Sequence, residues 1–379
     1  MKVKLSILFA TLVLISSFVF CNRLNDNAEE YLIKRTVAKM TLKEKVCQMF
    51  ILRPEALADI DDSLNLGVTR LSDEMVDFFC EYPAGGFCLY ARNILTPEQL
   101  SEFTSELHSL SPRPLLCVDE EGGRVARIAN NDAFGLEKFE SMTALAEEGG
   151  QKVYDASSYI GSYIRKYGFD VDFAPVADVN TNPENNVIGT RAFSDNPQSA
   201  AAMVVAYLNG LRDSGITGCI KHFPGHGDTE NDTHIGYAAS QKTWMELDGC
   251  EMVPFRAGIA AGTEMIMTTH IALPNVTGSD IPSTMSSVIL QDKLRGELNY
   301  QGIIVSDALK MAAISDRYTS AEAAVATVMA GVDMILAPKD YVQAVNGIIK
   351  AVENGVLDEN RIDESVYRIL ALKQRKASN

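Results

Sequence analysis

Short apolar runs recur along this chain, and stretches with helical periodicity separate them. The runs are Met49-Phe50-Ile51-Leu52, Phe87-Cys88-Leu89-Tyr90, Leu115-Leu116-Cys117-Val118 and Val171-Asp172-Phe173-Ala174, followed by Thr217-Gly218-Cys219-Ile220, Met265-Ile266-Met267-Thr268, Ile303-Ile304-Val305 and Met334-Ile335-Leu336. Runs of this length with little alternation predict strands buried on both faces, as in a parallel sheet. Helical patterns cover 28–40, 153–166, 200–214, 253–261, 289–298 and 321–330, and two closing helices cover 341–354 and 362–373. Thr41 and Glu44 form a capping-box signal, and Thr96-Pro97 opens another helix with a cap and a proline at its first position. Eight strand–helix units predict an α/β fold, a (β/α)8 barrel in one catalytic domain. A doubly wound open sheet is the structural rival. No Gly-rich nucleotide fingerprint follows the first strand, which weakens that rival.

The polar residues fall where such a barrel needs them. Asp119 follows the third run, Lys221 and His222 the fifth, His270 the sixth and Ser306-Asp307 the seventh. These are the C-terminal ends of strands, the face that carries active sites in this fold.

Of the 379 residues, 46% are hydrophobic and 22% charged, which suits a folded enzyme-sized domain rather than a disordered chain. The net charge of -16 argues against nucleic acid and against a polybasic membrane surface. Lys2 and Lys4 precede an apolar run from Leu5 to about Phe20, a signal-peptide pattern. Cys21 follows it directly, as at a lipoprotein cleavage site, although Phe18-Val19-Phe20 is bulky for one. We therefore expect a signal at 1–21, a polar tether at 22–30 and the barrel domain at 31–379. The expected location is the periplasm or cell surface, with membrane attachment through an N-terminal lipid or anchor, and the expected state is a monomer. Cys88, Cys117 and Cys219 lie inside apolar runs and read as small buried hydrophobes.

The densest chemistry lies in 221–234, KHFPGHGDTENDTH, which holds three of the five histidines. Pro224, Gly225 and Gly227 forbid a helix, so His222 and His226 cannot share a helical face as in a zinc protease. The charged and imidazole groups are expected on a loop, exposed and mobile from Asp228 onward. Asp232 and His234 stand two apart, a carboxylate able to orient and charge a proton-transfer imidazole. Asp307 can be read as a nucleophile at a strand end or as a helix N-cap, and spacing leaves both open. Asp119 precedes Arg124 and Arg127 across Gly122-Gly123, which allow a tight loop back to the barrel mouth. These groups, with Arg191 on another polar loop, could bind sugar hydroxyls or merely pair with one another. His108 reads as a surface residue.

The stretches DEEGGRVAR, DFAPVADVN, IGTRAFSDNP, KHFPGHGDTENDTH and GIIVSDALKM stand in one order along the chain. In this the sequence resembles family 3 glycoside hydrolases, and within them the single-domain β-N-acetylglucosaminidase (β-N-acetylhexosaminidase) branch, over roughly residues 30 to 375. The resemblance implies a (β/α)8 barrel and a retaining hydrolase of terminal β-linked N-acetylglucosamine, needing no metal and no cofactor. It implies Asp307 as nucleophile, His234 as acid/base with Asp232 as its partner, and Asp119, Arg127, Arg191, Lys221 and His222 as sugar-binding residues. Implied substrates are small carbohydrates, muropeptides or chitin fragments, in peptidoglycan turnover or outside the cell. Glu120 and Thr233 stand where the family commonly has His or Gln, and Ser; neither is expected to carry chemistry.

Three other readings stay open. A phosphorylase or a β-glucosidase could use the same site, since an imidazole acid repels phosphate less than a carboxylate does. A zinc hydrolase could draw on His222, His226, His234 or His270 with Asp307. A catalytically inactive sugar-binding lipoprotein could keep the fold, but joint retention of Asp232, His234 and Asp307 argues against decay.

Overall fold

The computed structural model describes residues 28–58, 66–229 and 236–377. The signal-like segment and residues 230–235, which include Asp232 and His234, lie outside them. Eight parallel strands form one sheet: β1 (Phe50–Leu52), β2 (Gly86–Leu89), β3 (Leu115–Val118), β6 (Val171–Asp172), β7 (Thr217–Phe223), β8 (Met265–Thr268), β9 (Ile303–Ser306) and β10 (Ile335–Leu336), while β4 (Glu120–Gly122) and β5 (Val125–Ala126) form a separate pair. Their spatial order is β10-β1-β2-β3-β6-β7-β8-β9. A parallel bridge between Val305 and Met334 joins β9 to β10 and closes the ring. The barrel is therefore the predicted (β/α)8 type, and closure excludes the open-sheet rival. The apolar runs were readable because these strands are buried throughout, with helices outside and packed side chains inside.

The capping predictions hold in detail. Thr41 and Glu44 form a reciprocal capping box at the start of Leu42–Gln48. Thr96 accepts from the Gln99 N–H, with Pro97 in the first turn of Pro97–Ser109. The segment predicted as helix at 289–298 is a π-helix over Val288–Glu297.

Two helices matter most for the site. One spans Gly150–Lys166, the other Pro197–Asp213, and they pack against each other. Buried residues recur three and four apart on the first: Val153, Ala156, Ser157, Ile160, Gly161 and Ile164. A Cβ at Gly210 would sit 2.0 Å from Ser157 Oγ and 2.6 Å from the Tyr154 carbonyl oxygen. Glycine there lets the helices close on each other, which sets how far Tyr163 and Tyr207 reach toward the barrel.

At the opposite end of the barrel, Asp333 is fully buried and accepts from Arg295 Nη2 at 2.6 Å and Arg368 Nη1 at 3.2 Å. This ties the π-helix and the closing helix Glu359–Ala377 to the last strand. Lys373, on that closing helix, donates to the buried Gln48 Oε1 at 2.7 Å. Burial pushes its ammonium down from the ordinary 10.5 to about 7, with Asp170 pulling the other way. The folded state therefore resists protonating Lys373 between pH 7 and 10.5. The associated stability is present above the unfolded value and is lost as pH falls toward 7, at roughly 1.4 kcal/mol per pH unit. Urea titrations of wild type and Lys373→Met should show the variant gaining on wild type as pH drops from 10 to 7. A pH-independent difference would contradict this placement of the charge.

Candidate active site

The third strand runs into a small antiparallel hairpin, β4 (Glu120–Gly122) and β5 (Val125–Ala126). Gly122 and Gly123 take φ of 91° and 57°, the left-handed region that glycine enters without a Cβ penalty. Side chains alternate along a strand, so Asp119 and Glu121 face one way and Glu120 the other. Asp119 and Glu121 line a cavity at the C-terminal mouth of the barrel.

Lys221 and His222 lie on a strand, which corrects the expectation of a loop. Strand β7 continues to Phe223, three residues past the apolar run. Its register against β8 shifts there: Lys221 pairs with Met267 but Phe223 with Thr268. His222 is the extra residue of a bulge, and a bulge re-aims side chains. Both consecutive residues reach the cavity, where a regular strand would have sent one outward.

The same cavity, about 250 Å³, is lined by Asp119, Arg127, Arg191, Lys221, His222 and Asp307. All five predicted sugar-binding residues and the predicted nucleophile thus meet in one place. Tyr90, His226 and Lys310 also line it and carried no assigned binding role in the sequence reading.

Charge within the cavity is closely paired. Lys221 Nζ lies 2.7 Å from Asp119 Oδ1 and 2.6 Å from Glu121 Oε1. Arg191 grips Glu121 with both arms of its fork, Nε to Oε2 at 2.8 Å and Nη2 to Oε1 at 2.7 Å. Burial would raise Glu121, but Arg191 and Lys221 prevail and hold its carboxyl far below the usual range. Burial likewise works against Asp119, and Lys221 and Arg127 overcome it. Arg127 Nη2 stands 3.4 Å from Asp119 Oδ2, while its Nε is buried with no hydrogen-bond partner among the described residues.

Asp178 organises the two described histidines of the cavity. His222 Nδ1 is 2.6 Å from Asp178 Oδ2, and the His226 backbone N–H donates to Asp178 Oδ1 at 2.7 Å. The other ring nitrogen, Nε2, faces Arg191 Nη2 at 3.4 Å. Burial pulls the His226 imidazole below its usual value, partly opposed by Asp178, and its Nδ1 meets Thr229 Oγ1 at 2.7 Å.

Asp307 follows β9 directly. Its backbone N–H donates to Thr268 O at 2.9 Å, and its Oδ1 accepts from the Ala308 N–H at 2.7 Å. The next helix begins only at Ala312, so Asp307 is no helix cap. Other sequence readings are also corrected. Arg124 turns away from the cavity and donates to the carbonyls of Asn186, Val187 and Ile188, fastening the next loop. His108 is packed 3.3 Å from Asp170 and 3.0 Å from Arg113 rather than lying free on the surface. Asp228 accepts from Ser240 Oγ at 2.9 Å and Thr229 is buried, so these two residues of the loop expected to be mobile are held, and the rest of it lies outside the described residues.

Sequence reasoning missed Glu121 and Asp178, although both stand inside quoted motifs. The signal for Glu121 was its place two residues beyond Asp119 at a strand end, hence on the same face. Among the described residues, no group of three His, Cys, Asp or Glu side chains is placed to hold a metal ion. The six described cysteines are free thiols.

The geometry has close counterparts. Residues 41–372 match the model for the glycosyl hydrolase family 3 N terminal domain. Beta-hexosaminidase A of Pseudoalteromonas piscicida is 34% identical over 335 residues, covering 81% of this chain and 56% of that protein. A beta-hexosaminidase of Stenotrophomonas maltophilia is 35% identical over 249 residues, covering 65% of this chain and 73% of that protein. Among solved structures, a glycoside hydrolase family 3 beta-N-acetylglucosaminidase from Paenibacillus sp. superposes with a TM-score of 0.82 at 36% identity, over 89% of this chain and 63% of that one. The chain thus spans less than two thirds of the Pseudoalteromonas protein and of the Paenibacillus chain. A closed barrel, a cavity at its C-terminal mouth and a match over nearly all of the described residues agree, and the chain belongs to glycosyl hydrolase family 3.

Proposed function

We propose that this chain is a retaining exo-β-N-acetylglucosaminidase acting on terminal β-linked N-acetylglucosamine. The carrying observation is the convergence of Asp307 with Asp119, Arg127, Arg191, Lys221 and His222 on one cavity. A retaining glycosidase needs a nucleophile on one face of the sugar and an acid beyond the other. Asp307 suits the first role, since its carboxylate borders the cavity at the end of a fixed strand. The paired charges of the wall offer oriented donors and acceptors for hydroxyl and acetamido groups. The names of the relatives, beta-hexosaminidase and beta-N-acetylglucosaminidase, support the choice of sugar.

His234 supplies the acid and then the base, with Asp232 fixing its tautomer. Support for that pair is its spacing and motif alone. The N-terminal lysines and apolar run support export, as a monomer attached through its N-terminus. The outside substrate is then a muropeptide or a chitin-like fragment.

Purified protein should release phenol from an aryl N-acetyl-β-glucosaminide with retention of configuration. Strong preference for a plain β-glucoside would overturn the choice of sugar, and glycosyl phosphate as product would make it a phosphorylase. Across a series of leaving groups, His234→Ala should lose about 10²–10⁴-fold on the poor ones and far less on activated phenols. Equal losses across the series would assign His234 to binding instead.

A further inference from the structure

Glu120 lies in the middle of the catalytic wall, yet it faces away from the cavity and is fully buried. Its carboxylate accepts from the Ile128 N–H at 2.9 Å and the Ala129 N–H at 2.8 Å, and from Tyr163 Oη at 2.7 Å. Its own N–H donates to Asp172 Oδ1 at 2.9 Å. Tyr207 Oη donates to the carbonyls of Glu120 and Glu121, at 3.1 and 3.2 Å. Every polar group of this residue is thus spent on structure.

The hairpin it closes is slight. Its ladder consists of Glu120 opposite Ala126 and Gly122 opposite Val125. Such a pair of strands is not stable alone. Arg127 stands at its end, directly before the two N–H groups that Glu120 holds. The contact from Arg127 to Asp119, 3.4 Å, is too long to fix a guanidinium. The Tyr90 ring lies 6.0 Å from the guanidinium, and the backbone on which Arg127 rides supplies the remaining constraint.

We propose that Glu120 is a positioning residue: by gripping the amides of Ile128 and Ala129 it sets Arg127 against Asp119 at the cavity wall. The inference rests on the glycosidase reading above and assigns a role within it. Tyr163 and Tyr207 complete the arrangement from the two outer helices, so the close approach at Gly210 is transmitted to the sugar-binding wall.

A double-mutant cycle on the full chain tests this, with an aryl N-acetyl-β-glucosaminide as substrate. Glu120→Ala and Arg127→Ala should each lower kcat/KM by about 10–100-fold, chiefly through KM, and the double variant should fall within about twofold of Arg127→Ala. Losses that multiply would mean that Glu120 acts independently of Arg127, and would overturn the proposal. So would a Glu120→Ala enzyme within twofold of wild type while Arg127→Ala is impaired, a result that leaves the glycosidase reading standing. Wild type without turnover of any such substrate would remove both. If Glu120→Ala does not fold, Tyr163→Phe keeps the carboxylate and removes one of its donors, and its loss must likewise vanish in the Arg127→Ala background.

Discussion

Asp307→Ala should retain less than about one part in 10⁴ of wild-type kcat/KM on N-acetylglucosaminides. The substitution removes the carboxylate and leaves its backbone bond to Thr268 O, at 2.9 Å, intact. The acceptor of the Ala308 N–H, at 2.7 Å, is lost as well, a cost of about 1–3 kcal/mol that leaves the barrel folded, so the loss of turnover belongs to chemistry. Azide offers an independent reading. A small anion can enter the space of the missing carboxylate and attack the same face of the sugar. Partial rescue by azide, with a glycosyl azide of inverted configuration as product, is the expected result. Activity that survives the substitution, or a covalent adduct trapped on another peptide, would move the nucleophile elsewhere.

Lys221→Met should destabilise the protein by about 3–5 kcal/mol near neutral pH, besides abolishing turnover. Its ammonium sits between Asp119 and Glu121, at 2.7 and 2.6 Å, and is almost wholly buried. Removing it leaves the buried Glu121 and the partly buried Asp119 sharing what Arg127 and Arg191 supply. The sign of the pH effect follows. Glu121 and Asp119 are held below their ordinary values in the folded state, so they contribute stability above those values and lose it as pH falls. The gap between wild type and variant should be widest near pH 7 and should narrow toward pH 3 in urea titrations. A gap that does not narrow would mean that lost packing, not lost pairing, sets the cost.

The barrel was legible because parallel strands covered on both faces are written as unbroken apolar runs. Phe50-Ile51-Leu52 and Ile303-Ile304-Val305 announce themselves. The extension of β7 through Lys221, His222 and Phe223 was not legible, since charge in a strand is tolerated only where partners stand ready. Those partners are distant along the chain. Lys221 meets Asp119 across 102 positions, Arg191 meets Glu121 across 70 and His222 meets Asp178 across 44. A hairpin begun by Glu120-Glu121 also looks unlike a strand until Tyr163, Tyr207 and Arg191 are in place around it. The candidate site was legible as motifs in order, which named five residues of the cavity wall and Asp307, the proposed nucleophile. What the motifs did not convey was who holds whom, and so Glu121 and Asp178 went unassigned. The acid/base pair at Asp232 and His234 was named from spacing and lies outside the described residues.

The bulge in β7 constrains any rebuilding of this barrel. Two neighbouring residues serve one wall at the point where the strand's register shifts against its partner. Deleting His222, the one position between Lys221 and Phe223, would even the ladder against Met267 and Thr268 and remove one of the two wall side chains. Substitution libraries aimed at altered sugar preference should therefore hold the length of this strand constant. The spacing of Asp232 and His234 asks for the same care, since the proposed acid/base pair rests on it.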